Sequence, residues 1–355
     1  MRIVLEKRAE LSTTMAVLSP VIALLLTVIA GGFIFLTRGI DPVQGLFVYF
    51  IEPLTQDWAR EQLVVKATPL VLIGAALAVS YRTNVWNIGA EGQFIFGALL
   101  AGTIPVYASD WQGFTVLPAM LLLGIAGGML WGAIPAFLKT RFNANEILTS
   151  LMLVYVAQLF FDWLVRGPWR DPQGFNFPKT VNFTGWQILP RWGDMHLGAA
   201  FALIVAAALA FMMFRMLKGF ELQVLGSAPR AGRFAGFSRD KSVVFCFLLT
   251  GALAGLAGAC DVMGVGQQLQ TPYSPGYGFV AIIVAFLGRL NPVGAIVAGL
   301  LLALSFIGGE SVQVALGMSD KIAKVFQGIL LFFVLACDTL IAYRIRILPL
   351  AAVGT

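Results

Sequence analysis

Charge is what this sequence has least of. Only 12% of its 355 residues are Asp, Glu, Lys or Arg, against 59% hydrophobic residues and a mean hydropathy of +0.85. A water-soluble domain of this length carries about a quarter charged residues, so lipid rather than water must cover most of this surface. Histidine occurs once, as His196. Cysteine occurs three times, as Cys246, Cys260 and Cys337, all in apolar stretches and at no ligand spacing. A lone imidazole and scattered thiols assemble no metal site, so neither metal nor redox chemistry is expected, and the thiols read as buried. A phosphate-binding loop is missing as well. The nearest approach to G-x-x-x-x-G-K-[ST] is Gly236-Phe-Ser-Arg-Asp-Lys241-Ser242, which puts Asp240 where the second glycine must stand. No nucleophile–base pair or pair of catalytic carboxylates can be picked out. The chain is therefore not expected to be an enzyme or to bind a cofactor, and any energy for pumping must come from another subunit or an ion gradient.

Apolar runs fill the space that charge leaves. A spanning helix needs about 20 mostly apolar residues. Ten stretches qualify or come close: 16–37, 63–80, 88–107, 115–138, 147–165, 196–217, 243–264, 277–288, 293–309 and 323–343. The pattern predicts an all-α polytopic membrane protein of about ten transmembrane helices, forming a single domain over 1–355 with no linker. The first run follows a basic N-terminus, as a signal core does, but its length of about 22 residues predicts an uncleaved helix. The stretch 277–288 is too short for a full span. It stands between Pro272, Pro275 and Gly276 on one side and Asn291 and Pro292 on the other. It is either a half-helix buried in protein or a span that borrows length from the preceding loop. The 38 glycines suit close helix–helix approach in lipid.

The net charge of +6 is a topology signal. With a cytoplasmic N-terminus, fifteen of the 24 Lys and Arg residues fall inside and nine outside, while acidic residues run the other way. The positive-inside rule then predicts an even number of spans with both termini in the cytoplasm. Nucleic acid is not an expected partner. The lipid bilayer is.

Two connections exceed ordinary loop length. The outer one, about 166–195, carries Trp169, Trp186 and Trp192 among four prolines. It reads either as an interfacial anchor or as a docking surface for an extracytoplasmic partner. The inner one, about 218–242, contains Gly226-Ser-Ala-Pro-Arg-Ala-Gly232-Arg-Phe-Ala-Gly236. Ser227 is placed to cap a short helix, Pro229 suits its first turn and Gly236 its end. Ala228, Ala231 and Ala235 share one small face, and Arg230 and Arg233 point elsewhere. Such a helix fits a groove in another protein. The plainer reading is a basic loop that merely sets topology.

Polar residues inside the apolar runs mark a candidate path. Asn84, Asn87, Glu91 and Gln93 stand around Gly89 and Gly92 at the opening of the third stretch. Asn87 and Glu91 either cap that helix or, with Gln93, face a polar cavity. Asn145 and Glu146, at the inner mouth of the fifth stretch, allow the same two readings. Asp261 and Asp338 read as close to the membrane boundaries. The Gly-rich strings Asn87-Ile-Gly-Ala-Glu-Gly-Gln-Phe and Ser274-Pro-Gly-Tyr-Gly-Phe precede short apolar runs from opposite sides, as in an inverted repeat.

Several strings resemble one family. Tyr81-Arg-Thr-Asn-Val-Trp-Asn-Ile-Gly-Ala-Glu91-Gly-Gln-Phe resembles the third-span signature of permeases from bacterial ABC importers for nucleosides and simple sugars, in the superfamily that also holds branched-chain amino-acid permeases. Asn145-Glu146-Ile-Leu-Thr-Ser-Leu-Met-Leu resembles the family's fifth span. Ala254-Gly-Leu-Ala-Gly-Ala, Ser274-Pro-Gly-Tyr-Gly-Phe-Val-Ala-Ile-Ile-Val-Ala-Phe-Leu-Gly288 and Asn291-Pro292 resemble its seventh to ninth. Gly226-Ser-Ala-Pro-Arg-Ala-Gly232 resembles the loop that docks on the ATPase. The likeness covers about 80–345. It departs from the family pattern where Asp261 replaces an expected Glu and where Pro229 stands in the docking loop. The resemblance implies a cytoplasmic ABC ATPase that binds ATP outside this chain, a second permease subunit (a different one favoured), and an extracytoplasmic substrate-binding protein. It implies a nucleoside-like substrate, with a simple sugar or a branched-chain amino acid as alternatives. An ion-coupled secondary transporter is the competing class. It calls for ion-coupling residues at the midplane, whereas Glu91 and Asp261 read as nearer the boundaries.

Overall fold

The computed structural model describes residues 2–7, 13–273, 276–319 and 321–348. They fall into two compact units, Met1–Gln56 with Leu304–Thr355, and Asp57–Ala303.

The first unit contains β1 (Arg2–Lys7), α1 (Thr13–Thr37), α2 (Pro42–Leu46) and α3 (Glu52–Thr55). The second contains α4 (Asp57–Arg82), α5 (Ala90–Tyr107), α6 (Val116–Phe142), α7 (Glu146–Arg166), β2 (Arg191–Trp192), β3 (Met195–His196) and α8 (Gly198–Arg215). It continues with α9 (Leu217–Ser227), α10 (Pro229–Phe234), α11 (Arg239–Asp261) and α12 (Tyr277–Leu287). Next, α13 (Gly294–Leu316) begins in the second unit, and its residues from Leu304 belong to the first. The first unit closes with α14 (Ile322–Ala342) and β4 (Tyr343–Leu348).

A helix lies on each of the ten apolar stretches. Among the described residues, seven are long and apolar enough to cross a membrane unaided: Leu18–Thr37, Asp57–Arg82, Val116–Phe142, Glu146–Arg166, Gly198–Arg215, Arg239–Gly266 and Gly294–Leu316. The three that fall short have identifiable reasons. Glu91 and Gln93 open α5, α12 has 11 residues, and the apolar part of α14 is confined to Lys324–Cys337. The half-helix reading of 277–288 is the one observed. Ends differ too: α4 starts at Asp57 rather than 63, and α13 runs on to Leu316 rather than 309.

The fold is helical as expected, with two small strand pairs beside the helices. Two small antiparallel pairs occur, β2 with β3, and β1 with β4 in a register from Arg2 opposite Leu348 to Lys7 opposite Tyr343. Both terminal segments, Arg2-Ile-Val-Leu-Glu-Lys and Tyr-Arg-Ile-Arg-Ile-Leu, carry β-branched residues at short spacing, and that composition favours strand over helix. Their basic residues serve equally as topology markers, which masks this signal in the sequence.

In the first unit α1 packs on α14, and Phe35, Tyr49, Val312, Ile322 and Phe326 form its core. The Tyr49 and Phe326 rings stack 4.4 Å apart, and the Tyr49 hydroxyl meets Ser305 Oγ at 2.6 Å. The second unit is built on α5, α6 and α11, which approach almost backbone to backbone. A Cβ at Gly128 would lie 2.0 Å from the Gly251 carbonyl oxygen, and one at Gly255 2.2 Å from that of Gly124. Lipid offers no hydrophobic drive for helices to associate, so this contact rests on dispersion between closely fitted surfaces. No other residue fits there.

Candidate functional site

The polar residues of the third apolar stretch come together deep in the second unit. After α4 the chain turns back, and the Tyr81 hydroxyl donates to the Asn87 carbonyl at 2.9 Å. Asn87 accepts from the Gly89 N–H through Oδ1 at 2.9 Å. Through Nδ2 it donates to Gln93 Oε1 at 3.1 Å and to Thr250 Oγ1 at 2.7 Å. The N-cap of α5 is Gly89, so Asn87 holds the turn before the helix rather than capping it. Thr250 stands midway along α11, about 16 Å from its start. The start of α5, and Glu91 with it, therefore lies against the middle of α11.

Glu91 does something neither reading anticipated. Its Oε2 accepts the backbone N–H of Gly278, in the first turn of α12, at 2.5 Å. A Cβ at Gly278 would lie 2.2 Å from the Glu91 nitrogen, so the first turns of α5 and α12 touch. Two helix N-termini with their positive dipole ends thus meet around one buried carboxylate, which both favour. Glu91 caps a neighbouring helix. The residues sequence reasoning missed here are Gly278 and Thr250. A glycine in the first turn of a very short apolar helix was the available signal for the first.

Before α12, Tyr273 lies against α5, α7 and α11. Tyr273 stacks on Phe94 and Phe161, with ring centroids 5.7 and 4.9 Å away, and its hydroxyl donates to Asp261 Oδ2 at 3.1 Å. Asp261 is thus engaged within the protein. Among the described residues no three His, Cys, Asp or Glu side chains gather as metal ligands.

His196 is buried between α8 and the end of α11. Its Nδ1 accepts the Gly198 N–H at 3.1 Å, and a Cβ at Gly264 would strike its ring. Burial, with the nearby Arg191 charge, lowers its pKa to about 4. The folded state therefore prefers neutral imidazole, whereas the unfolded chain takes up a proton below about 6.5. Stability is full above that value and is lost as pH falls toward 4, by about 2 kcal/mol at pH 5. We expect detergent-solubilised protein to melt earlier at pH 5 than at pH 7, and a His196→Gln variant to lose most of that difference.

Asn145 serves its own helix, and Glu146 ties that helix to α6. Asn145 caps α7, its Oδ1 accepting from the Ile147 and Leu148 N–H groups at 3.0 and 3.4 Å, and Glu146 pairs with Lys139 at 2.8 Å. The segment 217–236 forms two helices, α9 and α10. The expectation that Ser227 caps the second is corrected: its Oγ donates to the Gln223 carbonyl at 2.9 Å, closing α9, and Ala228 takes the N-cap position with no capping side chain. Pro229 opens α10, and Gly236, at φ +84°, follows its end as expected. Gly232 packs on Leu225, and Gly226 packs against the backbone at Arg82. Ala228, Arg230, Ala231, Arg233 and Ala235 are exposed, and Phe234 is 100% exposed. Of the loop tryptophans, Trp169 is buried with Nε1 donating to the Tyr107 hydroxyl at 2.8 Å, whereas Trp186 and Trp192 are exposed.

Comparison with known proteins places this architecture. The glucose ABC transporter permease protein TsgB13 of Haloferax volcanii is 35% identical over 97% of this chain and 93% of its own length. The guanosine ABC transporter permease protein NupP of Bacillus subtilis is 30% identical over 89% of this chain and 92% of its own. NupQ, a second guanosine permease protein of that organism, is 26% identical over 69% and 81%. The family described as the permease component of branched-chain amino acid transport systems matches residues 59–335. This chain is a multi-pass membrane protein and belongs to that permease family.

Proposed function

We propose that this chain forms half of the translocation pathway of an ABC importer for a nucleoside-like solute and is energised by a separate ATPase. The family match over 59–335 carries the permease reading, and the likeness to NupP supports the nucleoside-like solute. The missing phosphate-binding loop and the exposed α9–α10 pair support it, since a short helix with a small, basic-flanked face fits a groove on an ATPase. Within the docking segment Gly226, Ala228, Arg230, Ala231, Gly232, Arg233, Ala235 and Gly236 would couple nucleotide-driven closure to the spans. A second, different permease chain is favoured because the relatives include two guanosine permease proteins from one organism. Exposed Phe175, Trp186 and Trp192 offer an aromatic surface to an extracytoplasmic binding protein.

About ten crossings in the bacterial inner membrane, with both termini cytoplasmic, complete the topology. Pairing of β1 with β4 brings the two chain ends to one side, in keeping with an even count. The meeting of α5 and α12 by their N-termini supports an inverted repeat. A simple sugar is the second substrate reading, favoured by the likeness to TsgB13. A ligand screen of the cognate binding protein with nucleosides and hexoses separates the two. Replacing Ala231 by Glu puts charge and bulk on the docking face and is expected to abolish ATP-driven uptake while leaving insertion intact. Undiminished uptake by Ala231→Glu vesicles would remove the docking assignment.

A further inference from the structure

The helices of the second unit share a rule that α7 breaks. Mid-helix residues that α6 and α8 expose, such as Leu122, Leu130, Leu203 and Ile204, are apolar, as lipid requires. On α7 the buried stripe is Ser150, Val154, Ala157, Phe161, Leu164 and Val165. On one flank of it, Tyr155 and Gln158 are exposed and Asp162 is half-exposed. Gln158 stands about 18 Å along α7, near mid-depth. Among the described residues neither Gln158 nor Asp162 finds a hydrogen-bond or ion-pair partner. An amide and a carboxylate turned to hydrocarbon without partners are costly, and such groups in spans face protein or water. The stripe Leu148, Leu151, Tyr155, Gln158 and Asp162 follows a 3-4-3-4 spacing, the period of a helix face that stays toward one neighbour.

We propose that Tyr155, Gln158 and Asp162 line a water-filled path on the side of this chain that faces the second permease subunit, and that Gln158 hydrogen-bonds the passing solute. The chemistry fits an uncharged solute rich in hydroxyl and amide groups: an amide that donates and accepts, a phenol, and an aromatic face. Asn87 and Gln93, by contrast, are buried and bonded to each other. Val156, Met152 and Trp163, on the other flank of α7, are exposed and apolar and meet lipid. The assignment rests on the permease reading.

The test uses the complex assembled with its ATPase and second permease in vesicles. Cys246, Cys260 and Cys337 are buried and give little background. Gln158→Cys, Tyr155→Cys and Val156→Cys variants are treated with a charged, membrane-impermeant thiosulfonate, which needs water and a thiolate. The first two are expected to react at least about tenfold faster than the third, since a thiol in lipid yields almost no thiolate. Equally slow labelling at all three positions overturns the proposal. So does a disulfide cross-link from the Gln158→Cys variant to the second chain without reagent labelling, which makes the stripe a dry seam. ATP hydrolysis by the unsubstituted complex is read in parallel. Failure of the ATPase to assemble counts against the permease reading, whereas normal assembly with uniform labelling counts against the α7 assignment alone.

Discussion

A Gly255→Leu variant is expected to yield almost no folded protein, while Gly328→Leu is expected to behave like the parent. At Gly255 a Cβ meets the Gly124 carbonyl oxygen at 2.2 Å and the Gly128 Cα at 3.0 Å, and Gly97 of α5 closes on the same point. All of these neighbours are backbone. Side chains can change rotamer to admit an added group, but helix axes cannot separate without giving up contact along their length. Overpacking typically costs 1–3 kcal/mol; with three backbones against it, Leu at 255 should cost about 3 kcal/mol or more. At Gly328 an added Cβ meets nothing within 4 Å, and removing a helical glycine is worth about 1 kcal/mol in the other direction. Yield of monodisperse protein in detergent and the thermal midpoint read both variants. Equal midpoints would mean that α5, α6 and α11 do not meet at these glycines.

The second large effect is expected at Glu91. Glu91→Ala leaves the buried Gly278 N–H without its carboxylate acceptor. Losing a charge-assisted bond of this kind costs about 1–3 kcal/mol, and the unopposed dipole ends of α5 and α12 add to it. Glu91→Gln keeps one acceptor oxygen, so it should recover about half of the loss. Folded yield and melting should therefore fall in the order parent, Gln, Ala, with transport following the folded amount. A parent-like melting curve for Glu91→Ala combined with lost transport would move Glu91 from the support of α12 into the solute path.

These two residues also show how far the sequence could be read. Spans were legible because apolarity over about 20 residues is a local property. The half-helix at 277–288 was legible from its length and flanking prolines. Glu91 stood out as a carboxylate in an apolar run, but its partner lies 187 positions away. Only tertiary structure brings α12 against α5, so local reasoning offered a cap for its own helix or a cavity, and neither named Gly278. Ser227 departs from its expected capping role for a related reason. A hydroxyl one residue before Ala228-Pro229 serves equally to start one helix or to end another, and the local bond to Gln223 won. Asn145 was settled by its neighbours in sequence, as an N-cap should be. The exposed polar stripe on α7 was hidden because helical spacing reveals a face but not what that face meets.

The central claim is that this chain moves its solute only when a separate ATPase drives it. It is tested most directly by uptake into vesicles holding this chain, its second permease subunit and the ATPase, with binding protein supplied outside. Accumulation of labelled guanosine or glucose should require ATP, stop when the ATPase is omitted, and stop again with Ala231→Glu. Accumulation driven by a proton or sodium gradient without the ATPase would contradict the account and make this chain a secondary transporter.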